Sequence, residues 1–432
     1  IEKCTTTMKC KANIKSGFVF ENSGSISNCQ VITNTSRGDS GFVYKNNGKI
    51  INSSTNLSVN CGDKFIGGFV SENHGTIEGC DSKGKVIGSG TYLGGFCGKN
   101  LGNISLCKSE GLVDSSSYYT GGFVGANNGI IKECSSIGKV KGQEFTGGFC
   151  GDNKEKGEII SSICSGDVES KTYFIKNCCG GFVGKNSGMI VKECKSTGKV
   201  KGEECVGGFC GENLGRIISC DCEGSTNSET RFNKNISGGF VGKNKGVIEC
   251  CNSNVKSIGQ ECVGGFCGKN LGDIKSCNSK GSVSADVQSR TAVSGGFVAI
   301  NKKGTISDCT SELKVTSISG SGKAIAGGFV GINKATIEKS TSSGCSVLVD
   351  SGICWKNDNC GGFVGKNDKF GSIDGCYAEC IVRTTSSEKG GGFAGVAKNN
   401  SVIKNSECKT IVKMEFCYKQ HKDAVVENCF AN

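Results

Sequence analysis

One short phrase recurs along the entire chain: a glycine followed by phenylalanine, with an asparagine four residues after the phenylalanine in every copy but the last, which has Ala397. Fourteen copies occur, and their phenylalanines are Phe18, Phe42, Phe69, Phe96, Phe123, Phe149, Phe182, Phe209, Phe240, Phe266, Phe297, Phe329, Phe363 and Phe393. Successive copies are 24 to 34 residues apart, a period typical of proteins that stack one small unit on the next. A unit this short cannot bury its own apolar face, so neighbouring copies must pack against each other.

Other positions keep step with the phenylalanine. Glycine, isoleucine and usually cysteine follow the asparagine in that order in most copies. Each copy therefore contains about three short apolar stretches separated by glycine, asparagine, serine and lysine, which is the pattern of short strands between turns. Helical periodicity is absent. The chain has 69 glycines and no proline, and proline would interrupt a strand that is hydrogen-bonded on both sides.

These observations predict an all-β fold, a parallel β-solenoid of about 14 coils with roughly three short strands per coil. The chain is expected to form a single repeat domain, 1–432. Within it we expect degenerate N-terminal coils at 1–60, the most regular coils at 61–290, longer and irregular coils at 291–410, and a C-terminal cap or junction at 411–432. A sandwich or a propeller is the alternative, and the period disfavours propeller blades, which need about 40 residues.

Two columns of equivalent residues are predicted to stabilise the solenoid from inside. The structural core is expected to contain stacked Phe69, Phe96, Phe123, Phe149, Phe182, Phe209, Phe240 and Phe266. An amide ladder, in which each side chain bonds the next coil, is expected from Asn73, Asn100, Asn127, Asn153, Asn186, Asn213, Asn244 and Asn270. Asparagine also tolerates left-handed backbone geometry, and the glycines beside the phenylalanine are expected to allow positive φ or close backbone approach.

The 31 cysteines predict an oxidising environment and a solenoid reinforced by disulfides. From Phe69 to Phe266, every second coil has cysteine instead of valine directly after the phenylalanine. We expect this position to face away from the phenylalanine, and its cysteine to be bridged to a later cysteine of its own coil or of the preceding coil. The disulfide candidates are Cys80, Cys97, Cys107, Cys134, Cys150, Cys164, Cys194, Cys205, Cys210, Cys220, Cys262, Cys267 and Cys277.

The repeat resembles the GLUG motif, a glycine-rich repeat of bacterial surface proteins that typically reads G-G-L-V-G-x-N-x-G-x-I-x-N-C, then a small-residue turn and G-x-V. The stretch GGFVGANNGIIKECSSIGKV at 121–140 matches nearly throughout, with phenylalanine at the usual leucine position. The resemblance covers nearly the whole chain and implies a β-solenoid in a secreted or surface-attached protein, such as an adhesin-like chain or certain immunoglobulin-cleaving proteases. No catalytic residue belongs to the repeat. The abundance of cysteine departs from the family.

The residues favour a protein without catalysis, cofactor or metal. The two histidines, His74 and His421, are too few for zinc-protease ligands or for a triad, and we interpret both as surface residues. The cysteines form no C-x-x-C pair, so zinc or an iron–sulfur cluster is disfavoured. Acidic residues occupy scattered turn positions, which predicts solvated side chains rather than an acid/base pair; examples are Asp152, Glu212, Asp273 and Asp368.

The charge pattern limits the partners. A net charge of +11 arises from 51 basic residues interspersed with 40 acidic ones, without a basic block that would indicate nucleic-acid binding. No apolar run is long enough for a membrane span. The chain begins at Ile1 and shows no signal peptide, as expected of a processed chain or an excised segment.

Together these features predict an extracellular or cell-surface rod with a structural or adhesive role. Strand edges at the solenoid ends favour end-to-end self-association, including a head-to-tail filament, or a surface partner. The alternative is a module that binds a glycan or a host surface. An aromatic platform for a sugar is missing from the sequence pattern, because Tyr92, Tyr118, Tyr119 and Trp355 do not recur at one position.

Overall fold

The computed structural model describes residues 1–7, 16–32, 40–172, 177–230, 235–351, 358–384, 390–409 and 415–431. Every regular element in these ranges is a β-strand, and the strands wind into a parallel β-solenoid of about 13 turns. The predicted fold class is confirmed. Within the described ranges, no helix has the length and apolarity needed to cross a membrane.

The chain divides into two compact units. Unit 1 comprises Ile1–Glu203 and Gly208–Asp221, and unit 2 comprises Glu204–Gly207 and Cys222–Asn432. In both units most coils contribute strands to four sheets, which we number 1 to 4 in the order in which a coil passes through them, starting just before its Gly-Gly-Phe segment.

Sheet 1 lies before the phenylalanine and was not predicted, because its residue types vary from coil to coil. Its strands in unit 1 are Phe65–Gly67, Tyr92–Gly94, Tyr119–Gly121, Phe145–Gly147 and Cys178–Gly180. Its strands in unit 2 are Cys205–Gly207, Ile236–Gly238, Cys262–Gly264, Ala292–Gly295, Ala324–Gly327 and Asn359–Gly361.

Sheet 2 follows the phenylalanine and usually ends at the repeated asparagine. In unit 1 it contains Val19–Asn22, Val43–Asn46, Val70–Asn73, Cys97–Asn100, Val124–Asn127, Cys150–Asn153, Val183–Asn186 and Cys210–Asn213. In unit 2 it contains Val241–Asn244, Cys267–Asn270, Val298–Asn301, Val330–Asn333, Val364–Asn367, Ala394–Ala397 and Cys417–Gln420.

Sheet 3 is built from three-residue strands, usually with isoleucine in the middle. Its unit 1 strands are Ser25–Ser27, Lys49–Ile51, Thr76–Glu78, Asn103–Ser105, Ile130–Lys132, Glu158–Ile160, Met189–Val191 and Arg216–Ile218. Its unit 2 strands are Val247–Glu249, Asp273–Lys275, Thr305–Ser307, Thr336–Glu338, Ser372–Asp374, Val402–Lys404 and Val425–Glu427.

Sheet 4 consists mostly of pairs of short strands in unit 1 and of long continuous strands over much of unit 2. The first group is Thr5–Thr7, Gln30–Ile32, Ser54–Thr55, Val59–Cys61, Asp81–Ser82, Val86–Gly88, Lys108–Ser109, Val113–Ser115, Ser135–Ser136, Val140–Gly142, Ile163–Cys164, Val168–Ser170, Lys195–Ser196 and Lys199–Gly202. The second group is Asp221–Ser228, Asn252–Gly259, Asn278–Val287, Thr310–Ser319, Thr341–Ser351, Tyr377–Thr384, Glu407–Lys409 and Phe430–Ala431.

Successive coils pair in parallel with equivalent residues opposite each other. In sheet 3, for example, Ile77 pairs with Ile50 on one side and with Ile104 on the other. Ile77 and its two partners are buried. A side chain in one coil therefore packs on the side chain at the same position of the next coil, and the apolar positions form continuous buried columns.

The repeated phenylalanines lie at the bend between sheets 1 and 2 and point into the core. Adjacent rings stack with centroids 4.6 to 5.0 Å apart along the column in each unit. The backbone sets this spacing, because the N–H groups of both Phe96 and Cys97 donate to the carbonyl of Phe123, each at 2.9 Å.

The paired glycines before the phenylalanine are required because neighbouring backbone atoms leave no room for a Cβ. A Cβ on Gly67 would lie 1.9 Å from the carbonyl oxygen of Val70, and a Cβ on Gly68 would lie 2.1 Å from that of Gly95. Neither glycine has positive φ. Of the two roles expected for these glycines, the structure therefore shows close backbone approach.

Variation in repeat length falls partly on the connection from sheet 4 to sheet 1. Residues 143–144 join Gly142 to Phe145, whereas 171–177 join Ser170 to Cys178. The strands on either side nevertheless pair in register, Val140 with Val168 and Phe145 with Cys178.

Replacing a phenylalanine in the middle of the column removes stacking on both ring faces. We expect Phe149→Ala to lower the free energy of unfolding of unit 1 by about 3–5 kcal/mol, because the fully buried ring leaves a cavity. Chemical denaturation followed by circular dichroism measures the change. In the matched control, Phe20→Ala, the ring is 57% exposed and the loss should stay below about 1 kcal/mol. Equal losses in the two variants would contradict the proposed importance of the buried column.

Candidate functional site

The repeated asparagines form a buried ladder of amides at the end of sheet 2. The Asn73 Nδ2 donates to Asn100 Oδ1 at 2.8 Å, and Asn100 Nδ2 donates to Asn127 Oδ1 at 2.9 Å. The same bond recurs between successive coils from Asn127 to Asn213 in unit 1 and from Asn244 to Asn367 in unit 2. All the asparagines predicted for the ladder are fully buried.

Each amide of the ladder also closes the turn that follows it. Asn100 Nδ2 donates to the carbonyl of Gly102 at 3.1 Å, and the Gly102 N–H donates to Asn100 Oδ1 at 3.3 Å. The left-handed backbone that we expected at the asparagine lies elsewhere, because this residue ends a strand. One side chain thus links neighbouring coils and fixes a turn, which accounts for its recurrence.

A second polar ladder, which we name the thiol ladder, follows sheet 3. Cys107 Sγ donates to the carbonyl of Ser105 at 3.0 Å and accepts the backbone N–H of Cys80 at 3.3 Å. The Cys107 N–H in turn donates to Cys134 Sγ at 3.4 Å. Cysteines at this position are Cys4, Cys29, Cys80, Cys107, Cys134, Cys194, Cys220, Cys251, Cys277, Cys309, Cys376 and Cys429.

Serine replaces cysteine in the thiol ladder without a change of contacts. Ser53 Oγ donates to the carbonyl of Ile51 at 2.9 Å and accepts the N–H of Cys29 at 3.1 Å. Ser162, Ser340 and Ser406 make the same two contacts in their coils. A hydroxyl can serve in place of the thiol, so this position needs one donor and acceptor rather than a disulfide.

The residue before the thiol ladder adopts the left-handed conformation. Leu106 and Glu133, for example, both have φ of 54°. A left-handed residue other than glycine costs about 1–2 kcal/mol. The hydrogen bonds of the following thiol or hydroxyl offset part of that cost, because they tie the turn to its own strand and to the adjacent coil.

The cysteines that alternate with valine occupy the apolar core. Cys97 pairs with Val70 and Val124 in sheet 2, and it is fully buried like the phenylalanine before it. The position was expected to face away from the phenylalanine, and the structure shows that both residues are buried. Cys150, Cys210 and Cys267 occupy the same column and are buried in the same way.

The remaining disulfide candidates lie in other columns. Cys164 belongs to sheet 4, where it pairs with Ser136 and Ser196, while Ser162 takes the thiol-ladder position of that coil. Cys205 and Cys262 pair with Ile236 in sheet 1. No two described cysteines lie at disulfide distance, so the expected bridges are not present in the structure.

The geometry explains this difference from the sequence expectation. The cysteines expected to pair belong to different columns, because Cys97 lies in sheet 2 whereas Cys80 and Cys107 lie in the thiol ladder after sheet 3. The thiol-ladder sulfurs already point at backbone partners. Burial raises the pKa of Cys164 and of Cys267 to about 12, so these thiols stay protonated and unreactive near neutral pH.

A stripe of aromatic side chains runs along sheet 1 of unit 1, and we name it the aromatic stripe. Phe65, Tyr92, Tyr119 and Phe145 occupy equivalent positions in four successive coils. Their ring centroids are separated by 5.7, 5.0 and 5.3 Å in that order. The prediction that Tyr92 and Tyr119 share no position is wrong. Trp355 lies outside the described residues, and Tyr118 is 54% exposed beside the stripe.

Lysines cover the aromatic stripe. Lys99 Nζ lies 5.0 Å from the ring centroid of Phe65, and Lys154 Nζ lies 5.3 and 5.1 Å from those of Tyr92 and Tyr119. Lys154 also forms an ion pair with Asp152 and lies 3.4 Å from the Tyr92 hydroxyl. Such ammonium–ring contacts are attractive.

Two of the acidic residues expected in solvent are buried within strands of sheet 2. Asp152 is fully buried, and Glu212 is 3% exposed. Burial acts to lower the pKa of Lys154, but the contact with Asp152 outweighs it and the pKa is raised, so Lys154 remains charged. Burial, reinforced by the charge of Asp152, raises the pKa of Tyr119.

The two histidines do not lie in an acidic or cysteine cluster. His74 is exposed, with its Nε2 3.3 Å from Glu72 Oε2. Partial burial and nearby lysines lower the pKa of His421. Among the residues that the structure describes, no group of three or more histidine, cysteine or acidic side chains could hold a metal ion.

Comparison with known proteins identifies the repeat in two segments. The model of the GLUG motif matches residues 116–141, in unit 1, and residues 259–284, in unit 2. Each segment contains a buried core phenylalanine and a ladder asparagine. Searches of curated proteins and of solved structures found no match.

The two kinds of cysteine column predict opposite responses to the same substitutions. We expect Cys107→Ser to change the free energy of unfolding of unit 1 by less than about 1 kcal/mol, because serine makes the same contacts in other coils. Cys107→Val should cost about 1–3 kcal/mol, since it leaves the Cys80 N–H and the Ser105 carbonyl without their partner. Chemical denaturation measures both changes.

Cys97 provides the matched control, since its column neighbours are valines. Cys97→Val should be tolerated, whereas Cys97→Ser should destabilise unit 1 by about 1–3 kcal/mol because it buries a hydroxyl in an apolar column. If valine and serine have the same effect at both positions, the distinction between the columns is wrong.

Proposed function

We propose that this protein is an extracellular or cell-surface β-solenoid with a structural or adhesive role and without catalysis. The observation that carries the proposal is the continuous stacking of equivalent residues within each unit. Phenylalanine rings, asparagine amides and four parallel sheets repeat at one spacing, and every coil thereby stabilises its neighbours. The side chains at the repeated positions contact the equivalent side chains of neighbouring coils. Such a stack suits a protein that acts as a spacer or displays binding surfaces.

The resemblance to GLUG repeats supports a place outside the cell. An oxidising environment remains compatible with thiols that form no disulfide, because nearly all the thiol-ladder and sheet 2 cysteines are buried. Burial raises the pKa of Cys376 to about 12, which keeps the less reactive thiol form.

End-to-end association is part of the proposal. In the described residues, Cys417–Gln420 pairs with Ala394–Ala397, and Val425–Glu427 pairs with Val402–Lys404, each on one side. Half-buried Phe416 stacks on Phe393 at 4.7 Å in the last described coil. We propose that the first coil of a second copy continues these ladders, with a phenylalanine stacking on Phe416.

Electron microscopy tests location and assembly together. Immunogold labelling should place the protein on the surface of intact cells, and negative staining of concentrated full chain should show filaments. Phe416→Glu should shorten or abolish the filaments, because it places a charge in the proposed contact. Phe370→Glu is the control, since Phe370 is 69% exposed. Gold label confined to the cell interior would contradict the proposed surface location. Only separate molecules at high protein concentration would contradict the proposed filament.

The aromatic stripe favours a second candidate function, binding of an acidic glycan. Each inner ring is covered on both faces by its neighbours, so a sugar cannot lie flat on it. The groups available to a ligand are instead tyrosine hydroxyls and the ammonium groups of Lys99 and of Lys185, whose Nζ lies 5.7 Å from the ring centroid of Phe145. Carboxylates or sulfates of a glycan would pair with those ammonium groups.

An array of acidic and neutral glycans at two salt concentrations tests this second function. We expect binding only to acidic glycans, weakening as salt rises. The double variant Lys99→Ala, Lys185→Ala should lose about tenfold in affinity or more, since two charge-assisted contacts are removed. The double variant Lys256→Ala, Lys275→Ala removes the same charge from unit 2 and should bind normally. Absence of binding by the unmodified protein would eliminate this function.

A further inference from the structure

Cys345 and Cys380 face each other across neighbouring strands of sheet 4 in unit 2. They are direct partners in the pairing of Thr341–Ser351 with Tyr377–Thr384. Neighbouring strands lie about 4.8 Å apart, inside the range of Cα separations that a disulfide accepts. Neither residue belongs to the alternating column or to the thiol ladder.

A β-bulge creates this pairing. The register shifts between Ser343 and Cys345, and the intervening Gly344 has φ of 62°. The extra residue brings Cys345 opposite Cys380. A bulge at a single coil of an otherwise regular ladder commonly redirects one side chain.

Several donors converge on Cys345 Sγ. The Leu313 N–H lies 3.4 Å from it and the Ser342 hydroxyl 3.2 Å from it. The same Ser342 Oγ lies 3.2 Å from Cys380 Sγ. As a thiol, Cys345 can donate to the Ser311 carbonyl at 3.4 Å, and as a thiolate it accepts from the Leu313 N–H and the Ser342 hydroxyl, which stabilise the charge. The shared hydroxyl places the two sulfurs on one side of the strands.

The protonation of Cys345 differs from that of the core thiols. Hydrogen bonding from Cys380, against the opposing effect of burial, lowers the pKa of Cys345 well below the usual range, and the same contact with burial raises the pKa of Cys380. Burial raises the pKa of Cys164, Cys267 and Cys376 to about 12. Cys345 is therefore the nucleophile of the pair, and Cys380 is the neighbouring protonated thiol.

We propose that Cys345 and Cys380 form a dithiol site that reacts with a hydroperoxide and closes into a disulfide between two coils of unit 2. The Cys345 thiolate attacks one peroxide oxygen, the O–O bond breaks, and the departing oxygen takes up a proton to leave as water or an alcohol. Cys380 sulfur then attacks Cys345 sulfur. The S–S bond forms as the S–O bond breaks, and hydroxide leaves as water with the Cys380 proton. Two thiols are oxidised to one disulfide, and the peroxide receives the two electrons.

Burial limits the rate of this reaction rather than its outcome. Cys345 is 2% exposed and Cys380 is 4% exposed, so the oxidant reaches them through local opening of the strands. Hydrogen peroxide is close to water in size and is the probe of choice. Cys250 is exposed and lies in a turn, so it reports that the oxidant is active.

The test uses the full chain, reduced, freed of reductant and then treated with hydrogen peroxide in the presence of dimedone, which traps sulfenic acids. Peptide mapping should show Cys345 linked to Cys380, a loss of two alkylatable thiols there, and a dimedone adduct on Cys250. In Cys380→Ser the bridge cannot close, so dimedone should label Cys345. A thiol reductant should restore both thiols of the unmodified protein.

Two results would overturn the proposal. One is that Cys345 and Cys380 remain fully alkylatable in the unmodified protein when Cys250 is completely labelled. The other is that Cys345 carries no dimedone in Cys380→Ser while Cys250 does. The first result needs no variant, so a folding defect in Cys380→Ser cannot hide it. Cys376→Ser, a thiol-ladder change in the same unit, serves as the matched control and should form the bridge normally.

Discussion

Hydrogen bonding between equivalent positions of successive coils is the constraint on which the rest of the structure depends. Backbone N–H groups donate to carbonyls of the adjacent coils and keep the coils in register, as the N–H groups of Phe96 and Cys97 on the Phe123 carbonyl illustrate. The strand spacing of about 4.8 Å is thereby imposed on every side chain. Phenylalanine rings accept that spacing as nearly parallel stacks, although aromatic pairs elsewhere favour offset or edge-to-face contacts.

A residue type suits a column when it can interact favourably with a copy of itself one coil away. Asparagine does so because its amide both donates and accepts. Cysteine in the thiol ladder does so for the same reason, and serine is interchangeable with it there. In the sheet 2 column only size and apolarity matter, so cysteine alternates with valine. One residue type therefore has two unrelated physical roles within a single repeat.

The sequence was sufficient to predict the fold class, because the period and its fixed columns can be read directly. The burial of Phe96 and Asn100 follows from the same reasoning. The disulfide expectation rested on the number of cysteines and their spacing, and spacing cannot distinguish a thiol that bonds the backbone from one that is bridged. The serines at equivalent positions, Ser53 and Ser162, were the available sign that this column needs a hydrogen-bonding group rather than a disulfide. The aromatic stripe was equally visible four residues before each core phenylalanine, but its column mixes phenylalanine, tyrosine and cysteine and is therefore hard to recognise.

The connection from sheet 4 to sheet 1 has a further consequence. It lengthens from 143–144 to 171–177 between neighbouring coils while the strands on both sides keep their pairing. A longer connection adds only a modest entropic cost, because loop-closure entropy grows slowly with length. Evolution can therefore vary this side of a coil freely while the stacked columns stay fixed, much as an antibody varies its loops on a constant framework. New recognition properties would then be acquired by changing loop length at one edge, without redesigning the repeat.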